Sequence, residues 1–571
     1  MSKVYSVYFS KEAIMLAYYR VQCWTDRMIK DQVGIRAFGA KLEENCVILS
    51  EKIQSGQYKP QPGFKFYSPK ASKTQRTRTR LMVEDALIYQ AIANKIAENA
   101  FIKLKEHDDF VYGSVLSADV VKGITLLTEE QPQYFFFKFW KGLFHKFSES
   151  VIRSIEEDKA KFKFETDITG FFDSIPHYNL LETLSEEFGV DDEILDLLSE
   201  CFNTWSGTKD RCTPGVGIPQ GPLPSFFLAN LLLYPLDAMM VSNAHKYYRY
   251  MDDIKIYGYS EVELVDVLVT IDNYTKGHGL SINSKKTSIE EIDPDKEDET
   301  VKELKKIAQF DYDDDTDLAV VIEKPYEKKE IQGLQELSEQ DNQDIQQFVN
   351  PNIKSIKDPQ QIIAFWFQTK AEVEFEMQSW FEIKGEVITP INNTIRDTDF
   401  IRTGVQYSSA IRSLRALGET VDADESLLPF WLYALKVYFW RANNYCYSLG
   451  LYRNNKYLRA ELITFFTSGF NNYEWVRHYL LIILGTTQQF TDRELRIIFF
   501  KALKTEDSKL VRIALYRLLF SQSSNPQFIS SVRRELSNEA DHYIKWVVAD
   551  FLKHKKEKVP DYFEFLKIID L

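Results

Sequence analysis

Apolar residues along the first half of the chain switch between helical and strand spacing. Ile14, Ala17 and Val21 recur at helix spacing and predict helices over residues 1–50. Met82 to Ala100 (MVEDALIYQAIANKIAENA) reads as an amphipathic helix. Between them Pro60, Pro62, Gly63 and Pro69 predict turns and extended chain. Tyr134 to Trp140 (YFFFKFW) is intensely aromatic and reads as a core or subunit-contact element. Phe162, Phe164 and Thr166 then alternate with Lys161, Lys163 and Glu165, a strand that ends at Asp167. A helix is expected after His177, a Gly/Pro-rich loop over Pro214–Pro224, and a buried helix from Ser225 (SFFLANLLLYPLD). YYRYMDDIKIY, Tyr247 to Tyr257, predicts two short strands around a tight Met251-Asp252 turn.

The rhythm changes beyond residue 360. Residues 361–560 are almost free of proline and dominated by helical periodicity. Three pieces are mutually similar: VRHYLLIIL from Val476, VRIALYRLL from Val511 and IKWVVADFL from Ile544, at spacings of 35 and 33 residues. ELRIIFFKAL from Glu494 supplies an intervening helix. Two helices per repeat of this length predict a HEAT-like α-solenoid, with an irregular helical bundle as the alternative.

Composition narrows the class. With 571 residues and 44% hydrophobic positions the chain can bury several cores, which excludes collagen-like, disordered and disulfide-miniprotein classes. The net charge of −14 argues at first against a nucleic-acid binder. Its distribution reverses that reading. Ser288 to Ile345 carries 20 acidic residues against 7 lysines, a net of −13, and reads as a solvated insertion or linker. Lys52 to Arg80 carries eight basic residues and no acid, interleaved with Tyr58, Phe64, Phe66 and Tyr67. Cations mixed with aromatics suit a phosphate-rich partner, although a solvated basic hairpin would look the same. The five cysteines lack a CxxC pair, which speaks against a zinc site or disulfide framework and for a reducing compartment. The N-terminus has no signal-peptide core, and the most apolar stretch, Phe226–Val241, reads as too short and too polar to span a bilayer. A cytoplasmic protein without a membrane segment is expected.

Adjacent acids are common on surfaces, but Asp252 and Asp253 fall at a strand–turn–strand junction flanked by Tyr248, Tyr250, Ile254 and Ile256. Two carboxylates at the tip of buried strands are costly unless a cation neutralises them. A second strand delivers Asp167 at its end. Three carboxylates on neighbouring strand ends can hold two Mg²⁺ ions, which would activate a 3′-hydroxyl and stabilise a leaving pyrophosphate.

These motifs, in this order, resemble the reverse transcriptase palm over about residues 60–290. FETDITGFFDSIPH resembles motif A, with Asp167 as metal ligand, and GIPQGPLPSFFLANLLL resembles motif B, with Gln220, Gly221 and Ser225 facing template and nucleotide. YMDD, Tyr250 to Asp253, resembles motif C, in which Asp252 joins Asp167 on the metal and Asp253 completes the catalytic set. HGLSINSKKT resembles the following motif, with Lys286 a candidate to protonate the leaving group. SKTQRTRTRLMVEDALIYQAI is similar to the fingers segment that grips the triphosphate, through a choice among Lys73, Arg76, Arg78 and Arg80. Phe172, five residues after Asp167, stands where a palm of this type underlies the incoming sugar. An aromatic ring there would exclude a 2′-hydroxyl and select deoxynucleotides.

The resemblance implies an α+β right-hand fingers–palm domain (1–290), an acidic insertion or linker (291–345) and an all-α HEAT-like repeat domain (346–571). It implies a nucleotidyltransferase that polymerises dNTPs into DNA with two Mg²⁺ ions, or Mn²⁺ in their place. Neither a ribonuclease H pattern nor a histidine-rich nuclease signature is present in the sequence. A polymerase followed by helical repeats resembles the abortive-infection and defence-associated reverse transcriptases of prokaryotes. That implies antiphage defence in the bacterial cytoplasm and homo-oligomers in several members. Priming from a protein tyrosine (Tyr5, Tyr8, Tyr18 and Tyr19 being N-terminal candidates), untemplated synthesis, and use of an RNA template or noncoding RNA all stay open. A retron- or intron-derived enzyme copying a dedicated RNA is one alternative. A helical-repeat RNA-binding scaffold with a non-catalytic polymerase domain is another.

Overall fold

The computed structural model describes residues 3–293 and 428–554, except positions 25, 27, 131, 210, 243–245, 456–457, 463–471 and 488–489. Most of the acidic window, residues 294–345, therefore lies outside the described residues, as does the helical reading of 361–427. The chain divides into two compact units, Met1–Lys65 with Thr77–Glu330, and Phe66–Arg76 with Ile331–Leu571.

Along the chain, α1 (Lys3–Tyr8), α2 (Lys11–Cys23), α3 (Gln32–Gly39) and α4 (Leu42–Gln54) precede a hairpin of β1 (Phe64–Pro69) and β2 (Gln75–Arg80). Helices α5 (Val83–Lys105) and α6 (Trp140–Glu156) lead into β3 (Phe162–Asp167). Then follow α7 (Phe171–Ser174), α8 (His177–Phe188), α9 (Asp192–Trp205), α10 (Leu223–Ser242), β4 (Lys246–Tyr250), β5 (Asp253–Gly258), α11 (Glu261–Gly277) and β6 (Ser288–Glu291). The predicted strands around the Met251-Asp252 turn and the strand ending at Asp167 form as expected.

β4, β5, β3 and β6 make one antiparallel sheet in that order. The period-two pattern gives its strands two different faces. Phe164, Tyr247, Ile254 and Ile256 pack with Leu236 and Met240 of α10 and Leu264, Val267 and Ile271 of α11. Tyr248, Tyr250 and Tyr257 turn the other way, against Phe144, Phe147 and Val151 of α6.

α10 is apolar on all sides, as a core helix must be. At 20 residues it is long and apolar enough to cross a membrane by length and composition, contrary to the sequence reading, but two thirds of its apolar window is buried inside the fold. Its polar positions, Asn230 and Asp237, are buried too, and their partners belong to the site described next.

The described residues of the second unit from 428 to 554 are helical. α12 (Leu428–Val437) and α13 (Ala442–Leu449) precede α14 (Glu474–Thr486). α15 (Asp492–Ile497) continues as a π-helical turn, Ile498–Leu503, and α16 (Lys509–Gln522), α17 (Pro526–Ser537) and α18 (His542–His554) complete the series. The three similar sequence pieces are α14, α16 and α18, and α16 packs between the other two.

Candidate active site

Antiparallel register places Asp167, the last residue of β3, directly opposite Asp253, the first of β5. Opposed residues project from the same face of a sheet, so both carboxylates leave one edge together. Asp252 completes the set from the turn: its carbonyl accepts from Ile168 N–H at 3.3 Å. A second clamp fixes Asp167 from the other side, where its carbonyl accepts from Asn283 N–H at 2.8 Å. The structure thus brings together the three acids that the motifs singled out.

Their electrostatics are those of crowded carboxylates. Asp253 is exposed at the sheet edge, and neighbouring protein atoms partly desolvate its carboxyl group. That desolvation raises its pKa; Lys255 opposes the rise, and Glu165, Asp252 and Asp167 add to it. Lys286 Nζ lies 2.5 Å from Asp167 Oδ2, and this bond raises the lysine pKa despite partial desolvation. The other oxygen, Asp167 Oδ1, is buried and has no hydrogen-bond partner among the described residues. A buried carboxylate oxygen lacking a donor is suited to a hard cation. No three acidic, histidine or cysteine side chains among the described residues form a metal cage by themselves. Magnesium typically takes only one or two protein carboxylates and completes its shell with substrate phosphates and water, so the donor set fits that ion.

The turn carrying Asp252 is built on a buried arginine that the motif reading passed over. Met251 adopts a left-handed backbone, φ 57°, a conformation that costs an L-residue about 1–2 kcal/mol unless its surroundings enforce it. Arg249 supplies the enforcement. Its Nη1 donates to the Met251 carbonyl and to Asn230 Oδ1, each at 2.8 Å. Its Nε and Nη2 grip Asp237 at 2.7 and 2.6 Å, and Tyr247 also donates to Asp237 at 2.7 Å. Arg249 and Asp237 are both almost fully buried. Burial alone would lower the arginine pKa, but Asp237 outweighs it and keeps the guanidinium charged. Asn230 closes the circuit by donating to the Gly113 carbonyl at 2.7 Å. Gly113 is required there because a Cβ would lie 2.4 Å from Met251 N. One signal was available in the sequence: Asn230 and Asp237 interrupt an apolar helix, and Arg249 interrupts an aromatic strand, so each needed a buried partner.

Motif B folds as a glycine-rich loop entering α10. Gly221 (φ 136°) packs so tightly on Ile29 that a Cβ would approach its side chain to 2.5 Å. The Gln220 carbonyl accepts from Thr79 N–H at 3.0 Å, which ties this loop to β2. A cleft of about 230 Å³ opens beside it, lined by Thr77, Thr79, Asp173, Ser206, Gly217 and Gln220. Phe172 is largely buried, edge-to-face with Phe226 at 5.2 Å, and its carbonyl holds Ile218 N–H at 2.9 Å. Ser225 does not face the cleft. It is fully buried and shares a hydrogen bond with the Tyr89 hydroxyl, 3.1 Å.

The basic fingers residues separate. Arg80, expected on a triphosphate, is buried with Nε and Nη2 on the Met28 carbonyl at 2.8 and 2.6 Å, so it anchors the chain near α3. Arg78 is paired with Asp26 at 2.7 Å and only partly accessible. Lys73 and Arg76 are exposed at the hairpin tip, which groups with the second unit. Among the tyrosines, Tyr8 and Tyr18 are buried, with desolvation pushing each hydroxyl up to about 12, which makes both poor primers. Tyr5 and Tyr19 are half-buried.

Residues 110–325 match the family model described as reverse transcriptase (RNA-dependent DNA polymerase). The matched span holds Asp167, Phe172, Gln220, Asp252, Asp253 and Lys286. The comparison with curated proteins gives no match. The chain is a nucleotidyltransferase that carries a reverse transcriptase domain.

Proposed function

We propose that the protein is a metal-dependent reverse transcriptase that makes DNA in the service of antiviral defence. The observation that carries the catalytic part is the register of Asp167 against Asp253, with Asp252 in the turn between β4 and β5. Asp167 and Asp252 would hold Mg²⁺, or Mn²⁺ in its place, and the ion would neutralise the triphosphate and activate the primer hydroxyl. Lys286, within 2.5 Å of Asp167, holds a proton at Nζ beside the reacting phosphates. Such a proton is suited to the leaving pyrophosphate. Phe172 presses on the sugar of the incoming nucleotide, its ring fixed by Phe226. The cleft beside Gln220 receives the nucleotide and its templating base.

The defence role rests on the order of parts, a palm followed by helices whose repeated pieces we read as HEAT-like. Protein priming and homo-oligomers belong to the same reading, with Tyr5 and Tyr19 the N-terminal hydroxyls best placed to test. The experiment is to sequence the nucleic acid that copurifies with the full chain, before and after protease treatment. DNA present and partly resistant to extraction until proteolysis supports the reading; RNA alone, with no DNA made after dNTP and Mg²⁺ addition, overturns it.

A further inference from the structure

In the helical unit, arginines facing the inner helices are neutralised locally. Arg477 pairs with Glu506 at 2.9 Å, Arg512 with Glu539 at 2.5 Å and Arg459 with Glu494 at 2.8 Å. The outer layer, α15 with its π-helical turn and α17, is different. These two helices run side by side in the same direction. Asn525 Nδ2 reaches Asp492 Oδ2 at 2.9 Å at one end, Phe499 meets Phe528 edge-on at 5.7 Å in the middle, and Lys504 approaches Glu535 to 3.8 Å at the other. Their buried seam is apolar, built from Leu495, Phe499, Leu503, Phe528 and Val532.

The solvent side is basic. Arg493, Arg496, Lys501, Lys504, Arg533 and Arg534 are all exposed, against one exposed acid on these helices, Asp492. Among the described residues, Arg493, Arg496, Lys501, Arg533 and Arg534 make no ion pair. Within this face Phe500 is 56% and Ile497 48% exposed. The offset between the helices falls from 33 residues at Asp492–Asn525 to 31 at Lys504–Glu535, which puts Lys501 and Lys504 within about one turn of the level of Arg533 and Arg534. Arg493, Arg496, Phe500 and Lys504 follow one another at spacings of three to four residues, a ridge along one helix. A helix that simply needed solubility would mix the signs of its surface charge. In a chain of net charge −14, a predominantly basic patch around an exposed aromatic ring calls for a polyanion with flat rings.

We infer that the outer face of α15 and α17 is a binding surface for single-stranded nucleic acid. Arginines and lysines would contact successive phosphates while a base stacks on Phe500, a mode that tolerates any sequence. An anionic membrane is the competing polyanion, but two exposed apolar side chains give little to insert between lipids. The inference does not depend on the catalytic reading, because binding here would hold for template, product or any other strand.

The test is ultraviolet crosslinking of the full-length protein to a 30-nucleotide oligothymidylate, with crosslinked peptides identified by mass spectrometry. The expected result is an adduct on the peptide containing Phe500, in the protein with Asp252→Asn as well as in the unsubstituted one. Replacing Arg493, Arg496, Arg533 and Arg534 together by glutamine should lower that adduct about tenfold or more. Loss of four phosphate contacts should also flatten the salt dependence of this site by about 3 in the log–log slope. Crosslinks confined to residues 1–293, or a Phe500 adduct unchanged by the four substitutions, would overturn the inference. So would anionic vesicles, but not oligothymidylate, protecting Lys501 and Lys504 from acetylation.

Discussion

Removing Arg249 should damage stability and catalysis by separable routes. Arg249→Met keeps the bulk of the side chain but strands the Asp237 carboxylate, which is 2% exposed and left with only the Tyr247 hydroxyl. Breaking one side of a buried ion pair costs about 3–5 kcal/mol. Replacing both partners with apolar residues of similar size removes most of that penalty. Arg249→Met with Asp237→Leu should therefore unfold in urea within about 1–2 kcal/mol of the unsubstituted protein. The Met251 carbonyl, however, loses its 2.8 Å bond in both variants, and with it the restraint on the left-handed turn. A misplacement near 1 Å at a catalytic carboxylate is worth about 100-fold in rate. Steady-state dNTP incorporation should show kcat down by about that factor in the single and the double variant, with KM for dNTP nearly unchanged. Arg249→Lys cannot restore the two-pronged grip and should recover little. A double variant with full kcat would refute the reasoning, leaving Arg249 as a fold residue only.

Gly113→Ala should act on the same turn from its other side, because the new Cβ meets Met251 N at 2.4 Å. Lost DNA synthesis and a lowered unfolding temperature are the expected readouts. Phe172→Ala should raise ribonucleotide incorporation relative to dNTP, measured by competition on one template; an unchanged ratio would leave Phe172 as core packing alone. Asp85 is buried, its carboxyl pushed up from 3.8 to about 6 by desolvation, against hydrogen bonds from Tyr58 and Gln61. The folded state then holds a proton that the unfolded chain releases, so the Asp85 contribution is present below pH 4 and lost as pH rises through 6. That loss is about 3 kcal/mol, and urea unfolding of Asp85→Asn should lack it.

The sequence made the palm readable because its strands alternate strictly and its acids fall where the alternation stops. Phe162–Asp167 and the Met251-Asp252 turn could be bounded on period alone. The same rule could not sort the fingers cations. Arg78 and Arg80 sit in the alternating run QRTRTR, yet Arg80 is buried on a carbonyl 52 residues away and Arg78 is paired with Asp26. Such partners are set by tertiary packing, which local spacing does not encode. Ser225 was placed facing template and nucleotide by the motif resemblance, but it is buried on the Tyr89 hydroxyl, a partner that the motif does not encode. The Asn230–Asp237–Arg249 network left a faint trace as polar residues in apolar runs. Membrane-like hydropathy in α10 and the buried charge it carries are two aspects of one core helix.

The central claim is that Asp167, Asp252 and Asp253 form the reaction centre of a DNA-synthesising enzyme. Its most direct test is incorporation of labelled dNTP by the purified full chain with Mg²⁺, compared with the paired variant Asp252→Asn and Asp253→Asn. The account predicts DNA synthesis by the first, lost on chelation and restored by Mg²⁺ or Mn²⁺. It predicts background incorporation by the second, with an unfolding temperature at least as high because carboxylate repulsion is relieved. Undiminished DNA synthesis by the paired variant would contradict it.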